Sequence, residues 1–244
     1  MYDIIFSDGI NDMNALISTP PLTVFEHMAL DEHLVHARPE AVTLRFYNWT
    51  PGPAVTFGYA QFISEVRSSL TATQFTGPCA RRPTGGGVVF HTDDLTFSLI
   101  FTSAARPAAV YQQLHGFILA GLTQAGVTAR ALSTPLPATA YAPSVNHTAS
   151  ACFVNPVEND LLAQDGQKML GGAIRRFGQT ILYQGSLQRA GARTNPLFKR
   201  AVIEGVRQFL AVDLHPAPCR PEELQAAREL AGAQYDTPAW TEKF

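Results

Sequence analysis

The chain has 244 residues, 46% of them hydrophobic and 16% charged, with a net charge of −2. Such a composition describes an ordinary globular protein with room for a real core. The near-neutral charge leaves no electrostatic footprint for nucleic acid or an anionic membrane surface, and no run of about eighteen apolar residues is present to span a bilayer. The opening Met1 to Asp8 carries no basic region followed by an apolar stretch, so no signal peptide is expected. Three widely spaced cysteines, Cys79, Cys152 and Cys219, suit neither a disulfide framework nor a structural zinc site. A reduced, cytoplasmic compartment is the expectation.

Taken in chain order, Pro20-Pro21 precedes a helix expected over Thr23–Ala37, where Phe25, Met28, Ala29, Glu32 and Val35 recur at helical spacing. Val42–Tyr47 alternates as a half-buried strand does. Ala54–Phe57 follows the turn-like Thr50-Pro-Gly-Pro53 and reads as the next strand. Val88–Phe90 and Leu95–Phe101 suggest a further strand pair joined by the intervening His91–Asp94. Ala108–Ala125 is amphipathic, with Val110, Leu114, Phe117, Ile118, Gly121 and Leu122 on one face. A Pro-, Ser- and Thr-rich stretch from Ser133 to Ser150 reads as a long loop, and such loops are usually functional or mobile.

Asp165-Gly166, between Asp160–Ala163 and Lys168–Gly171, predicts a hairpin with a type I′ turn. Thr180–Tyr183 is a further strand. Thr194–Leu210 and Pro221–Ala231 are expected helices, the second with Pro at its first position and Glu222-Glu223 in its first turn. Strands and helices mix without regular βαβ alternation. The expected fold is therefore α+β, a mixed central β-sheet flanked by helices in one domain over 1–244, with a small helical C-terminal appendage from about 196.

Chemistry concentrates in two segments. Arg81-Arg-Pro-Thr-Gly-Gly-Gly-Val-Val-Phe-His91 sets three glycines before a strand, a costly choice unless a backbone must approach a ligand closely. The arginines favour an anionic or strongly polar group on that ligand. No Gly-Lys-Ser/Thr follows, so this is neither a P-loop nor a dinucleotide fingerprint. His91 is placed to donate to a bound carbonyl, or is a structural histidine. Trp49 and Phe90 can wall an apolar tunnel, or are core aromatics. Lys168, beside the Asp-Gly turn, reads on pattern alone as solvated, although the glycine pair Gly171-Gly172 after it again hints at ligand approach. Cys152, where the long loop meets a strand, is either a small buried hydrophobe or a nucleophile needing a neighbouring base or cation. The remaining histidines form no metal-like set, and no metal is expected.

In their order these segments resemble the lipoate–protein ligase and octanoyltransferase family, relatives of biotin protein ligases. Arg81–His91 is similar to its Arg-Arg-x-Ser/Thr-Gly-Gly-Gly-x-Val-Tyr/Phe-His motif. Asp165-Gly-Gln-Lys-Met-Leu-Gly-Gly-Ala173 resembles its signature-lysine stretch. His27–Glu32 resembles the family's opening helix, Phe57–Gln61 its Gly-Arg-x-Gln turn, and Tyr235–Trp240 its closing element. The resemblance implies a fold of the class II synthetase and biotin protein ligase kind. It also implies an acyl tunnel between the loop Thr84, Gly85, Gly86, Gly87 and the strand carrying Lys168, Gly171 and Ala173, with Trp49, Arg82 and His91 also at the substrate.

Ala151-Cys152-Phe153 stands where the cysteine-dependent octanoyltransferases carry their nucleophile. That resemblance implies catalytic Cys152 and Lys168, acyl carrier protein as donor, and a lipoyl domain or glycine cleavage H protein as acceptor, with no cofactor. An ATP-dependent lipoate ligase, using ATP and Mg, is the nearest alternative. A non-catalytic acyl-binding protein is the next. Gly172 and Gln184 depart from the Ser and His the family commonly carries.

Overall fold

The computed structural model describes residues 13–134 and 155–244. Cys152 and most of the Ser133–Ser150 stretch lie outside the described residues. Eleven strands are described: β1 (Asn14–Ser18), β2 (Val42–Phe46), β3 (Ala54–Phe57), β4 (Cys79–Arg81), β5 (Val89–His91), β6 (Leu95–Thr102), β7 (Ala129–Ala131), β8 (Leu161–Ala163), β9 (Lys168–Phe177), β10 (Thr180–Leu187) and β11 (His215–Pro218). The helices are α1 (Val24–Ala37), α2 (Ile63–Ala72), α3 (Pro107–Gln124), α4 (Pro196–Leu210), α5 (Pro221–Leu230) and α6 (Pro238–Thr241).

Eight strands form one mixed sheet in the order β11-β1-β2-β6-β10-β9-β8-β7, parallel at the β11-β1-β2 end and antiparallel elsewhere. The expected α+β mixed sheet flanked by helices is the architecture found. The period-2 alternation of strands divides the core. Leu99, Phe101, Ile181 and Tyr183 pack against α3 and α4, while Ile100 and Leu182 face the α1 and α5 side. A second sheet, β4-β3-β5, closes with α2 around Val55, Phe57, Val66 and Val88.

Local signals explain most element ends. Thr23 caps α1 by accepting from Glu26 N at 3.1 Å, and Glu26 returns the bond to Thr23 N at 2.7 Å. Asn195 caps α4 ahead of Pro196. The buried side of α1 is broader than a simple apolar stripe and includes His27 and Asp31. On α3, Phe117 is exposed, so it leaves the buried row its spacing suggested. From 196 onward the chain enters the same layers: α4 lies against α3, β11 extends the sheet beside β1, and α5 packs on α1.

Two expectations change. Val88–Phe90 and Leu95–Phe101 do not pair with each other. β5 pairs with β3 in the small sheet, whereas β6 pairs with β2 and β10 in the large one. The link crosses between sheets because the buried Asp94 accepts hydrogen bonds from His91 in one sheet and from Thr96 and Ser186 in the other. The β8–β9 turn is not type I′, since only Gly166 has positive φ (81°). Gly166 N donates to Ala163 O at 3.0 Å, a type I turn followed by a left-handed glycine.

Candidate active site

Where β6, β9 and β10 pass beneath the small sheet, the face toward α1 turns polar. Thr96, Ser98, Gln184 and Ser186 occupy the positions that carry Ile100 and Leu182 further along. This patch floors a narrow cleft whose open space, including the part continuous with solvent, is about 400 Å³. Its walls are Met28 of α1, Tyr47 and Trp49 after β2, Thr56, Arg82, Val89 and His91 from the small sheet, and the backbone of Gly171–Ala173. An apolar wall with a few convergent polar groups is the usual make-up of a small-molecule site.

Two hydrogen-bond networks fix these walls. In the first, Asp31 is fully buried and accepts from Arg45 Nε at 2.8 Å, Ser98 Oγ at 2.6 Å, Gln184 Nε2 at 2.7 Å and the Tyr47 hydroxyl. Burial, then the Asp31 carboxylate, pushes the Tyr47 phenol well above its ordinary range. His27 Nε2 donates to Asn48 O at 3.1 Å, so its Nδ1 accepts from Arg45 Nη1 at 2.9 Å. Burial and the Arg45 charge hold its pKa well below the usual value. Gln184 Oε1 accepts from Thr84 Oγ1 at 2.6 Å, which ties the start of the glycine loop to the sheet.

The second network is a chain. Arg82 Nη1 donates to Thr56 Oγ1 at 2.8 Å, Thr56 Oγ1 meets His91 Nε2 at 2.8 Å, and His91 Nδ1 meets Asp94 Oδ2 at 2.9 Å. Burial alone would raise the Asp94 carboxyl. The His91 ring and the hydroxyls of Ser186 and Thr96 outweigh it and hold the group below the usual range. Arg82 Nη2 donates to the carbonyls of Gly85 (2.8 Å) and Gly87 (2.9 Å). The glycine loop therefore wraps the Arg82 guanidinium. Gly86 has φ +88°, and a Cβ on Gly58 would collide with the Gly86 carbonyl.

Of the residues singled out from sequence, Trp49, Arg82, His91, Gly171 and Ala173 come together around the cavity. Thr84, Gly85, Gly86 and Gly87 do not line it, and support Gln184 and Arg82 from behind. Both His91 ring nitrogens already have protein partners, so the ring is not an idle donor to a bound carbonyl. Arg81 is fully buried and donates to the carbonyls of Tyr59, Gln61, Trp240 and Thr241.

Lys168 is not a solvated turn residue. It is 6% exposed, and its ammonium lies 2.8 Å from Asp160 Oδ2. Its side chain folds across Gly171, whose missing Cβ makes the space; a Cβ there would sit 2.5 Å from Lys168 Nζ. Burial raises the Asp160 pKa against the pull of Lys168. Behind Asp160, His115 Nδ1 donates to Asn159 O at 2.6 Å and its Nε2 meets the Tyr183 hydroxyl at 2.7 Å. Burial lowers the His115 pKa to about 4. Tyr183 in turn fills the space a side chain at 172 would need, which accounts for Gly172.

Cys79 and Cys219 are unpaired, and burial pushes both thiols up to about 12, so neither supplies thiolate at neutral pH. Among the described residues no helix is long and apolar enough to cross a membrane. Sequence reasoning missed Asp31, Arg45, Tyr47, Thr56, Asp94 and Asp160. The available signal was an aspartate just ahead of Leu161-Leu162.

The mixed sheet with this cleft is the fold of lipoate protein ligases. A lipoate-protein ligase A solved with ATP superposes with TM-score 0.71 at 20% identity, covering 95% of this chain and 98% of that one. A bi-partite lipoate protein ligase from Thermoplasma acidophilum gives 0.70 at 19%, covering 95% and 96%. The chain belongs to the family described as the lipoyl protein ligase A/B catalytic domain, which matches residues 23–200. It is an enzyme, and the curated relatives it resembles are acyltransferases. Octanoyltransferase LipM of Symbiobacterium thermophilum is 36% identical over 170 residues, covering 66% of this chain and 60% of that protein. Octanoyltransferase LipM of Moorella thermoacetica is 30% identical over 230 residues, covering 89% and 80%.

Proposed function

We propose that this chain transfers an octanoyl group from acyl carrier protein to a lysine of a lipoyl domain or of glycine cleavage H protein, through a thioester on Cys152 and without ATP or metal. The observation that carries this reading is the mostly apolar cleft with the Gly171–Ala173 strand in its wall and the Lys168 side chain folded across Gly171. An eight-carbon chain buried at ~0.8 kcal/mol per methylene gains about 5 kcal/mol, enough to select by length. The raised thiols of Cys79 and Cys219 favour Cys152 as the nucleophile, and the octanoyltransferase relatives favour acyl transfer.

In the first half-reaction the Cys152 thiolate adds to the donor carbonyl. The carrier's thiolate leaves and takes a proton from water. In the second, the neutral lysine amine adds to the enzyme thioester, the C–N bond forms, the nitrogen gives up a proton to water, the C–S bond breaks and Cys152 leaves as thiolate. Lys168, held by Asp160, places a fixed positive charge beside the chain-binding backbone, where it favours thiolate and the tetrahedral oxyanion. Transfer of octanoate from octanoyl-acyl carrier protein to a lipoyl domain, assayed in the absence of ATP, tests the reading. Turnover lost in Cys152→Ser and kept in Cys79→Ala and Cys219→Ala supports it. Transfer only from free octanoate with ATP and Mg would replace it with a ligase.

A further inference from the structure

Arg81 ends β4 and Arg82 follows it, and successive side chains of an extended chain point to opposite faces. Arg82 faces the cleft. Arg81 is fully buried on the other side, where its hydrogen bonds go to backbone carbonyls of two separate segments. Its Nη1 donates to Tyr59 O at 2.6 Å and to Gln61 O at 2.8 Å, in the turn that follows β3. Its Nε donates to Trp240 O at 2.9 Å and its Nη2 to Thr241 O at 2.8 Å, at the end of α6, where a helix leaves carbonyls without partners. Only the planar guanidinium fork can hold both segments at once.

The segment Tyr235–Phe244 is fastened at several further points. Tyr235 is buried, and its hydroxyl donates to Glu32 Oε2 of α1 at 2.5 Å. The Trp240 ring packs on Tyr235 at 5.1 Å and on Tyr59 at 5.6 Å between centroids. β4 is the edge strand of the small sheet, and Trp240 Nε1 covers that edge by donating to Arg81 O at 3.0 Å. Lys243 Nζ donates to the Tyr59 hydroxyl at 2.5 Å, and Ile63 N, at the start of α2, donates to Phe244 O at 3.1 Å. The turn gripped in this way is the seat of the glycine loop. Tyr59 N donates to Thr84 O at 2.8 Å, and a Cβ on Gly58 would lie 1.9 Å from Gly86 O. Thr84 in turn bonds Gln184, and the carbonyls of Gly85 and Gly87 hold Arg82. Gln184 and Arg82 both line the cleft.

We propose that Arg81 is a positioning residue for the cleft and that the segment Tyr235–Phe244 is the clasp it reads. Docking of the clasp is passed by Arg81 to the Gly58–Gln61 turn, by the turn to the glycine loop, and by the loop to the cleft walls at Arg82 and Gln184. With the clasp released, turn and loop move together and the cleft opens to solvent. The coupling lies in the protein and is independent of which group the cleft takes, so it stands or falls apart from the acyl-transfer reading.

The chain has two tryptophans, so replacing Trp240 leaves Trp49, 6% exposed in the cleft wall, as its only indole. Trp240→Phe keeps a ring between Tyr59 and Tyr235, and Trp240→Ala removes it. Acrylamide should quench Trp49 weakly in Trp240→Phe and at least ~2-fold more steeply in Trp240→Ala. Hydrogen exchange of the 58–61 turn and the 84–88 loop should run ~10-fold or more faster in Trp240→Ala and in Arg81→Lys, which keeps the charge without the fork, while Trp240→Phe stays close to wild type. Protection of α3 and α4, on the opposite face of the large sheet, should be unchanged. A clasp that exchanges fast while the loop and Trp49 stay protected overturns the coupling. Protection lost equally in α3 and α4 also overturns it, because the segment would then be general packing. Where Trp240→Ala leaves the clasp docked, deletion of residues 237–244, read by the same two signals, decides.

Discussion

Replacing Lys168 by alanine strands the Asp160 carboxylate. The two side chains are 3% and 4% exposed and 2.8 Å apart, so neither can turn to solvent. Removing one member of a buried pair costs about 3–5 kcal/mol, because the survivor is an uncompensated buried charge. For a chain of this size each kcal/mol moves the melting midpoint by about 2–4 °C, so Lys168→Ala should melt about 6–20 °C lower at pH 7. The sign of the pH dependence follows from Asp160, whose folded-state pKa lies above its unfolded value because burial disfavours the charge. The folded state therefore binds the extra proton, and the deficit of Lys168→Ala should shrink as the pH falls from 7 toward about 4. The double variant Lys168→Met with Asp160→Asn should recover most of the loss while remaining inactive. Differential scanning calorimetry at both pH values measures this. A loss below about 1 kcal/mol at pH 7, or one that grows on acidification, would refute the buried pair.

His115, lowered to about 4 by burial, contributes stability that is fully present above the unfolded value near 6.5 and lost as the pH falls through 4. Denaturant titrations should show a fall of about 3 kcal/mol between pH 7 and 4, reduced in His115→Asn. Gly172→Ser should cost about 1–3 kcal/mol through overpacking, because its Cβ would collide with the Tyr183 hydroxyl, and Tyr183→Val should relieve it. Gly86→Val places a branched residue at φ +88°, and should lower the melting midpoint as well as acyl binding by displacing the loop from Arg82. Iodoacetamide at pH 7 should modify Cys79 and Cys219 slowly, since both thiols lie near 12; peptide mass mapping reads this out.

Features written locally were legible in the sequence. Thr23 with Glu26, Asn195 with Leu197 and Arg220 with Glu223 mark helix starts by hydrogen bonds that close within three residues, and Pro196 and Pro221 take the first helical positions. The β-prone, largely apolar runs Leu95–Phe101 and Thr180–Tyr183 identify strands, which the fold buries on both faces. What the sequence could not show was long-range pairing of polar groups. Arg45 reads as a surface position until Asp31, fourteen residues earlier, meets it in the core. His91–Asp94 has the spacing of a hairpin link, and only the Ser186 bond from a distant strand reveals a crossing between sheets. Lys168 follows a turn and reads as solvated. Its burial depends on Gly171 leaving room and on Asp160 across the hairpin. The glycine loop was recognised for close approach, but the approach it serves is to Gly58 and Arg82.

The covalent octanoyl-enzyme is read out by the intact mass of the protein after mixing with octanoyl-acyl carrier protein in the absence of ATP. One added octanoyl group is expected, released by hydroxylamine and absent from Cys152→Ala. No adduct, or one that persists when Cys152 is replaced, would contradict it.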